Sequence, residues 1–463
     1  MENAVAPRAQ DDISVSVPAT PTPDARAPRY TSYPTAVQFT SKIGATQHRA
    51  WLQEIPGEAP ISLYLHVPYC RRLCWYCACN TVAANRPETV ATYASLLDTE
   101  IRFVAGAIGR RLRCSNLHLG GGSPDSLAPA SLEHLYATLR GEFAIDAEAD
   151  IAAELDPAYL TDQWIAAAAC IGLNRASLGV QTLAPHVQAA INRPQTLAMV
   201  CEATSVLRLA GVRSVNFDLM YGLPRQTTDD LRMTLEAMLS LRPERVAVFG
   251  YAHVPWMKGH QRLIDPADLP GAAERLEQSA IAAERLLAEG YLRIGLDHYA
   301  LPTDSLAIAS AQGRLRRNFQ GYTTDQADTL IGFGASAISR LPSGYVQNQS
   351  GLREWQAAVG RGEPATARGV AFEGDDQLRA ELIERLMCDG IVDIDGVFRR
   401  WKGSQQARAL IWENLARFIA LHWVIPEAGG VRLTILGRSR VREICTAFDS
   451  YFQPDGGRHS AAV

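Results

Sequence analysis

Short apolar runs alternate with longer stretches of helical periodicity through the first two thirds of the chain. Between the runs, apolar residues recur every three or four positions, which predicts helices. Strands that alternate with helices are typical of parallel β/α units, and the repeated unit predicts an α/β fold built on a partial (β/α)6 barrel. The predicted strands are 61–67, 117–119, 151–155, 175–180, 214–219 and 245–251, and the predicted helices lie near 90–107, 130–142, 158–170, 196–210 and 228–241.

The regions that flank this alternation have a different pattern. The first residues are rich in Ala, Pro, Asp and Thr and contain no apolar stretch, which predicts a disordered tail rather than a signal peptide. From about residue 365 the pattern favours helices and a short strand at 430–435. The predicted division is a tail at 1–27, an N-terminal arm at 28–60, the barrel at 61–300, a barrel extension at 301–364, and a smaller, mostly helical, winged-helix-like C-terminal domain at 365–463.

Composition and charge narrow the classes of function. The 463 residues are 47% hydrophobic and 20% charged, with a net charge of −4, which is typical of a globular protein and gives no reason to expect nucleic acid or an anionic membrane as partner. No apolar run reaches the ~18 residues that a membrane span needs. Arg438, Arg440 and Arg442 fit a DNA-binding helix, but we favour a solvated helix face.

Three cysteines, Cys70, Cys74 and Cys77, lie close together directly after the first predicted strand. A Cys-x3-Cys-x2-Cys loop can bind one face of a cubane iron–sulfur cluster and leave the fourth iron open for a small molecule. A zinc site also uses clustered cysteines, but it usually pairs two such knuckles, and no second one follows. A disulfide framework is unexpected in a long chain without a secretory signal, and the cytoplasm, where thiols stay reduced, is the expected compartment.

The remaining cysteines fall into two kinds. Cys79 lies two positions after Cys77, and it invites comparison with a fully ligated, ferredoxin-like cluster. Five others are scattered in apolar or helical surroundings, where buried cysteines act as small hydrophobic residues; they are Cys114, Cys170, Cys201, Cys388 and Cys445.

Polar and glycine residues follow several of the predicted strands. Consecutive glycines at 120–122 let a ligand approach the backbone closely, although an ordinary tight turn has the same composition. Glu154, Gln181 and Asp218 each come near the end of a strand, and Arg193 follows Gln181. Because the strand ends of a barrel meet on one rim, we expect these residues to lie together, whereas each alone could be a turn residue or a buried structural group.

With these motifs in place, the chain resembles the radical S-adenosylmethionine (radical SAM) superfamily and, within it, the oxygen-independent coproporphyrinogen III oxidase family, from Pro28 to the C-terminus. The family motifs are Pro-Arg-Tyr-Thr-Ser-Tyr-Pro-Thr at 28–35, the fourth cysteine Cys79, Tyr-Ala-His-Val-Pro at 251–255, Asp-His-Tyr-Ala at 297–300, Arg-Asn-Phe-Gln-Gly-Tyr-Thr-Thr at 317–324 and Gly-Ala-Ser-Ala-Ile-Ser at 334–339.

The resemblance implies the cofactors and their contacts. It implies a [4Fe-4S] cluster bound by Cys70, Cys74 and Cys77, with Cys79 outside the ligand set, and two SAM molecules per chain. The first SAM would contact Tyr64, Gly121, Glu154 and Ile338. The second would contact Tyr76, Gly122, Ser123, Gln181, Arg193, Asp218 and Ala252.

The resemblance also implies the reaction and the partners. A 5′-deoxyadenosyl radical from SAM would start the oxidative decarboxylation of two propionate side chains of coproporphyrinogen III, which gives protoporphyrinogen IX in haem biosynthesis. A flavodoxin-like or other low-potential protein would supply the electron to a monomeric, cytoplasmic enzyme. Two related activities stay open: a radical SAM haem chaperone, whose members generally lack the 28–35 motif and the fourth cysteine, and a haem-utilisation methyltransferase.

The substrate of that family carries four carboxylates around an apolar ring, so its pocket should combine arginines with aromatic side chains. Arginines in or near the family motifs are our hypothesis for this role, with three tyrosines as neighbours; a solvated surface is the simpler interpretation of any one arginine. They are Arg29, Arg262, Arg316 and Arg317, with Tyr30, Tyr33 and Tyr322.

Overall fold

The computed structural model describes residues 27–453, which fall into two compact units. The larger unit comprises 36–289 and 325–372, and the smaller comprises 27–35, 290–324 and 373–453 within the described residues. This division differs from the predicted linear boundaries at 300 and 364. The reason is visible within the smaller unit, where Tyr322 donates a hydrogen bond to the carbonyl of Met387 and Arg385 donates one to the carbonyl of Gly313.

The larger unit contains the predicted parallel β/α barrel strands. In chain order they are β1 (Ile61–Val67), β2 (Arg113–Gly121), β3 (Ala144–Leu155), β4 (Arg175–Gln181), β5 (Ser214–Tyr221) and β6 (Arg245–Gly250). Each pairs in parallel with the next. The strand and helix predictions were therefore right in kind and order, and the observed strands mostly extend further than predicted.

Four more strands continue the sheet beyond β1. They are β7 (Thr329–Phe333), β8 (Ile338–Leu341), β9 (Gly344–Asn348) and β10 (Thr366–Ala371). β7 pairs with β1 in parallel, and the pairs β7–β8, β8–β9 and β9–β10 are antiparallel. Part of the predicted barrel extension therefore lies beside the first barrel strand, which places Ile338 two strands from Tyr64.

Helices separate the barrel strands along the chain. The helix Pro87–Ile108 shows the local logic: it begins with proline in its first turn and ends at Gly109, whose positive φ of 72° closes the last turn. Its buried residues recur at helical spacing and include Tyr93, Leu97 and Glu100. The other helices of this unit are Ala45–Gln53, Pro129–Glu142, Asp162–Cys170, Pro185–Ala190, Leu197–Leu209, Thr228–Leu239, Ala272–Ala288 and Leu352–Gly360.

The smaller unit is mostly helical, as predicted, with short antiparallel strands. Three of these strands form one antiparallel sheet, in the order Ile391–Val392, Gly430–Leu433, Val424–Glu427. Two further pairs are Leu292–Ile294 with His298–Ala300 and Arg316–Asn318 with Gly321–Thr323. The helices are Ser305–Ala311, Asp376–Asp389, Ile394–Trp401, Gln405–Ala420, Ile435–Arg438 and Val441–Cys445.

Arg442 and the first described residue, Ala27, are both buried. Arg442 does not lie on a solvated face: it is 8% exposed and donates hydrogen bonds to the carbonyls of Ala27 and Pro28. The predicted disordered tail, 1–27, lies outside the described residues except for Ala27, which is buried. Within residues 27–453, no helix has both the length and the apolar character required to cross a bilayer.

Candidate radical SAM site

The cysteine loop follows β1 directly and is tied down at both ends. The two-residue strand Tyr69–Cys70 pairs in parallel with Val82–Ala83. Inside the loop, the amide of Trp75 donates to the carbonyl of Ile191, and the amide of Cys77 donates to the carbonyl of Cys74. All nine cysteines of the chain are free thiols. The loop therefore presents Cys70, Cys74 and Cys77 from a fixed backbone at the end of the first barrel strand.

Each of these three sulfurs has a hydrogen-bonding neighbour. Cys70 Sγ lies 3.1 Å from Thr81 Oγ1 and 3.7 Å from Ser123 Oγ. Cys74 Sγ accepts from Arg193 Nη1 at 3.3 Å, and Cys77 Sγ accepts from the amide of Cys79 at 3.4 Å. Donors aimed at sulfur stabilise thiolates, which are the form that binds iron. The surroundings of the loop thus fit a set of three thiolate ligands.

The three thiols differ in how readily they ionise before iron is bound. Burial raises the pKa of Cys70 to about 11 and also raises that of Cys74. A side-chain hydrogen bond with Cys79 lowers the pKa of Cys77 to about 7.

Within residues 27–453 no three His, Cys, Asp or Glu side chains are grouped to hold a single metal ion. A cubane makes a different demand, because each of its protein thiolates binds a separate iron.

The glycine triplet at the end of β2 packs against groups that leave no room for a side chain. A methyl group on Gly121, whose φ is +111°, would lie 2.5 Å from Cε1 of His66, and one on Gly122 would lie 2.6 Å from the carbonyl oxygen of Tyr69. The amides of Gly122 and Ser123 donate to the carbonyls of Val67 and Tyr69, each at 2.8 Å. The triplet is thus fixed against the start of the cysteine loop.

Glu154, near the end of β3, joins the triplet to two aromatic side chains. Its Oε2 accepts from the amide of Gly121 at 3.1 Å, and its Oε1 lies 3.2 Å from His118 Nε2. Burial acts to raise the pKa of Glu154, but His118 and the Gly121 amide outweigh it, so the pKa is lowered and the carboxylate is ionised. The ring of His118 stacks on Tyr64, with 5.8 Å between centroids.

A second cluster centres on Arg193. Besides Cys74, its guanidinium contacts Asp156 Oδ2 at 3.1 Å and the carbonyl of Gly179 at 2.5 Å. Its Nε is buried and has no hydrogen-bond partner among the described residues. Gln181 lies on the same side, because a methyl group on Gly179 would be 3.0 Å from both Gln181 Nε2 and Arg193 Nη2. The unsatisfied Nε fits a ligand group placed beside Cys74.

The other predicted SAM contacts are more dispersed. The carbonyls of Tyr76 and Ala252 both accept from Gln261 Nε2, at 2.8 and 3.3 Å, so these two residues are held close together. Ile338 begins β8. Asp218 does not end its strand, because β5 continues to Tyr221. It accepts hydrogen bonds from Ser177 and Asn216, at 2.7 and 2.8 Å.

Sequence reasoning did not single out several residues that shape the site. His66 lies between Tyr64 Oη, 3.0 Å from its Nδ1, and the carbonyl of Asn80, 3.0 Å from its Nε2. His118 and Asp156 contact Glu154 and Arg193, as described above. The sequence could have identified His66 and His118, because each lies two positions from a polar or aromatic residue on the same face of its strand, β1 or β2.

The residues suggested for substrate binding take different positions. Tyr30 and Tyr33 are 4% and 3% exposed. The hydroxyl of Tyr30 donates a hydrogen bond to Asp449, and the hydroxyl of Tyr33 shares one with Ser450, so both tyrosines are packing residues of the smaller unit. Arg316 pairs with Glu384 at 3.1 Å. The other candidates are Arg317, which lies 4.6 Å above the ring of Tyr322, and the exposed Arg29 and Arg262. For these arginines a substrate role stays a prediction.

The chain is similar to known proteins over most of its length. The radical SAM superfamily model matches residues 64–238. Oxygen-independent coproporphyrinogen III oxidase of Bradyrhizobium diazoefficiens is 44% identical over 95% of this chain and 97% of its own length. The Paracoccus denitrificans protein of the same name is 42% identical over 95% of this chain and 97% of its own length.

A solved structure is similar to this chain in fold. Coproporphyrinogen III oxidase from Escherichia coli, a radical SAM enzyme, superposes with a TM-score of 0.87 at 36% identity, covering 92% of this chain and 98% of the other. The high identity over nearly the whole length of both proteins is far above what a shared barrel alone would give. The chain therefore belongs to the radical SAM superfamily and, within it, to the family of oxygen-independent coproporphyrinogen III oxidases.

Proposed function

We propose that this protein converts two propionate side chains of coproporphyrinogen III to vinyl groups by oxidative decarboxylation, giving protoporphyrinogen IX. Relatives that match nearly its whole length are named for that substrate. The observation that carries the proposal is the arrangement around the cysteine loop. Three free thiols with donors to each sulfur lie beside a glycine triplet, and an ionised Glu154 anchors that triplet.

Cys70, Cys74 and Cys77 are the proposed ligands of a [4Fe-4S] cluster. Thiolate, the required form, is stabilised at Cys74 by the guanidinium of Arg193 and at Cys77 by the amide of Cys79. Cys79 is proposed to lie outside the ligand set, since its role here is as a donor to Cys77. When bound, the cluster and SAM supply the 5′-deoxyadenosyl radical that takes a hydrogen atom from the propionate.

The protein's own contribution is to hold and orient SAM. Two SAM molecules are proposed per chain, on the two groups of residues described above. For the first, Tyr64 is hydrogen-bonded to His66, the ring of His66 packs against Gly121, and the amide of Gly121 donates to Glu154; Ile338 is the fourth proposed contact. For the second, the proposed contacts are Tyr76, Gly122, Ser123, Gln181, Arg193, Asp218 and Ala252.

The two groups offer complementary chemistry. The ionised Glu154 suits hydroxyl or ammonium groups, because a carboxylate accepts hydrogen bonds and attracts positive charge. The guanidinium of Arg193 suits a carboxylate, because its planar donors match carboxylate oxygens, and its buried Nε has no other partner among the described residues. Glycine at 121 and 122 lets this backbone pack against the His66 ring and the carbonyl of Tyr69, where a side chain would clash.

Further parts of the proposal concern the partners and the compartment. A flavodoxin-like or other low-potential protein is the proposed electron donor, and the protein is proposed to act as a monomer. The cytoplasm is the proposed compartment, since all nine cysteines are free thiols and a reducing environment keeps them so.

Cluster assembly tests the ligand assignment. Cys74→Ala should abolish the cluster absorbance after anaerobic reconstitution, together with SAM cleavage. Cys170→Ala is the matched control, because this exposed cysteine lies on a helix away from the loop in sequence. A Cys74→Ala protein with an unchanged cluster spectrum would refute the assignment. Loss of the cluster in the control as well would point to general damage by cysteine removal.

A further inference from the structure

Glu100 is a buried carboxylate that the proposed function does not use. It is 4% exposed, on the helix Pro87–Ile108. Its Oε2 accepts from the amide of Gly334 at 2.6 Å, and its Oε1 accepts from Asn348 Nδ2 at 2.8 Å and Trp355 Nε1 at 3.2 Å. Burying a carboxylate is costly unless it is hydrogen-bonded. An apolar residue at this buried position would need no such hydrogen bonds. Three donors aimed at both oxygens indicate a specific positioning role.

Tyr93 lies two helical turns before Glu100 and binds the amide of Ala335, the residue after Gly334. Its hydroxyl donates to the carbonyl of His66 at 2.7 Å and accepts from the amide of Ala335 at 3.1 Å. The ring is fully buried and stacks obliquely on Trp355, with 4.6 Å between centroids. Two side chains of one helix thus bind the consecutive amides of Gly334 and Ala335.

The segment held in this way is the tight turn 334–337 between β7 and β8. Gly334 has a φ of +97°, and a methyl group there would lie 2.4 Å from the Tyr93 hydroxyl and 2.6 Å from the His66 carbonyl. Ser336 also has a positive φ, 65°, and backbone of this kind persists only when its surroundings fix it. Asn348 completes the enclosure by donating to the carbonyl of Gly334 at 3.0 Å as well as to Glu100.

Beyond the turn, contacts lead to the first proposed SAM face. Ser336 Oγ lies 3.4 Å from His66 Nε2, and His66 Nδ1 lies 3.0 Å from the hydroxyl of Tyr64. The ring of His66 also fills the space beside Gly121. Ile338 follows the turn by one residue. All the residues proposed to contact the first SAM are therefore attached to this turn, to His66 or, for Glu154, to Gly121.

We infer that Glu100 and Tyr93 are positioning residues for the first SAM. They fix the turn 334–337 against His66, which in turn fixes Tyr64, Gly121 and Ile338. This inference deepens the proposed function and rests on it. The helix acts here as a rigid support for the turn. Such support matters because a displacement of the turn by a fraction of an ångström would move both the His66 ring and the start of β8.

Glu100→Gln and Tyr93→Phe test the inference, with Glu88→Gln as control. The first substitution would set a new amide donor against one of the three donors that face Glu100, and the second would leave the Ala335 amide without an acceptor. Glu88 is exposed in the first turn of the same helix. Two quantities are measured on the reconstituted protein: amide hydrogen exchange in the peptide that contains residues 334–337, and the dissociation constant of SAM by equilibrium dialysis. Iron content and the urea midpoint are recorded alongside.

Loss of one such bond should accelerate exchange in this peptide about tenfold and raise the dissociation constant of SAM about tenfold in each variant, with iron content unchanged. Glu88→Gln should match the wild type in both. Faster exchange with unchanged SAM affinity would overturn the inference and leave a purely structural role. Unchanged exchange would overturn it too. A wild-type protein that binds no SAM would instead refute the proposed function, so the two failures are distinguishable. If Glu100→Gln does not fold, Tyr93→Phe alone decides.

Discussion

Arg193 joins Cys74 to Asp156, and loss of its charge should destabilise the metal-free protein. Arg193→Met keeps much of the side-chain length and removes the charge. The wild-type guanidinium contacts Asp156 at 3.1 Å, Cys74 Sγ at 3.3 Å and the Gly179 carbonyl at 2.5 Å, and the two charged side chains are only 12% and 15% exposed. Removing one partner of a buried ion pair leaves the other charge uncompensated, which costs ~3–5 kcal/mol. Some exposure remains here, so we expect a loss at the lower end of that range, ~3 kcal/mol.

The assay is urea unfolding of the metal-free protein, followed by far-ultraviolet circular dichroism and tryptophan fluorescence. Arg232→Met is the control, because the Arg232–Asp229 pair is 53% and 89% exposed and such pairs contribute at most ~1 kcal/mol. A double-mutant cycle with Asp156→Asn isolates the pair. If Asp156 is what the single variant leaves uncompensated, the double variant should lose less than the sum of the two single losses by at least ~1 kcal/mol. Strict additivity would show that the stability loss of Arg193→Met does not come from an uncompensated Asp156.

Three more predictions concern the same contacts and their neighbours. Glu154→Gln should weaken SAM binding about tenfold at equilibrium without loss of iron, because it removes the charge that the Gly121 amide and His118 stabilise; equal affinity would contradict this. Gly121→Ala should abolish SAM binding, since the methyl group would overlap the His66 ring, whereas Gly106→Ala, with open space around it, should not. Burial raises the pKa of Glu100 from 4.5 to about 7, so its contribution to stability is full below pH 4.5 and is lost as pH rises through about 7. The free energy of unfolding should therefore decline between pH 4.5 and about 8, and in Glu100→Gln this decline, measured by urea unfolding, should be smaller by ~3 kcal/mol. An unchanged dependence of the unfolding free energy on pH would contradict this prediction.

The sequence predicted the barrel well because its strands are buried on both faces. β1 was predicted with its observed bounds, since six of its seven residues are buried and turn residues follow it. Longer strands were underestimated where polar residues continue the ladder. β3 begins at Ala144 rather than 151 because Ala144 and Ile145 pair with Arg113 and Cys114 across an irregularity in the register. No local pattern announces that pairing.

The domain boundaries were harder to predict because the chain crosses between units more than once. Residues 290–324 belong to the smaller unit, although they directly follow the last barrel helix in sequence. Long-range contacts decide this, such as the hydrogen bond from Tyr322 to the carbonyl of Met387 at a separation of 65 residues. Arg442 was misjudged for the same reason, since its buried partners, the carbonyls of Ala27 and Pro28, lie at the other end of the chain.

The candidate site was predictable to the extent that its residues sit in motifs. The cysteine spacing and the glycine triplet are local and strong signals. His66, Glu100 and Tyr93 carry no motif, because their role depends on a turn that lies 234 residues beyond Glu100 and 242 beyond Tyr93. Only the fold brings Gly334 and Ala335 to that helix, so sequence periodicity could identify Glu100 at most as an unexpected charge on a buried face.

The proposed conversion of coproporphyrinogen III can be tested by an anaerobic assay of cluster-reconstituted protein with SAM, a low-potential reductant and this substrate. Mass spectrometry would quantify 5′-deoxyadenosine and the tetrapyrrole products. We expect protoporphyrinogen IX, with the loss of two carbon dioxide molecules per substrate matched by two molecules of 5′-deoxyadenosine. Cleavage of SAM without decarboxylated product would contradict the proposed substrate and favour haem chemistry. No cleavage of SAM by protein with a complete cluster would contradict the enzymatic function itself.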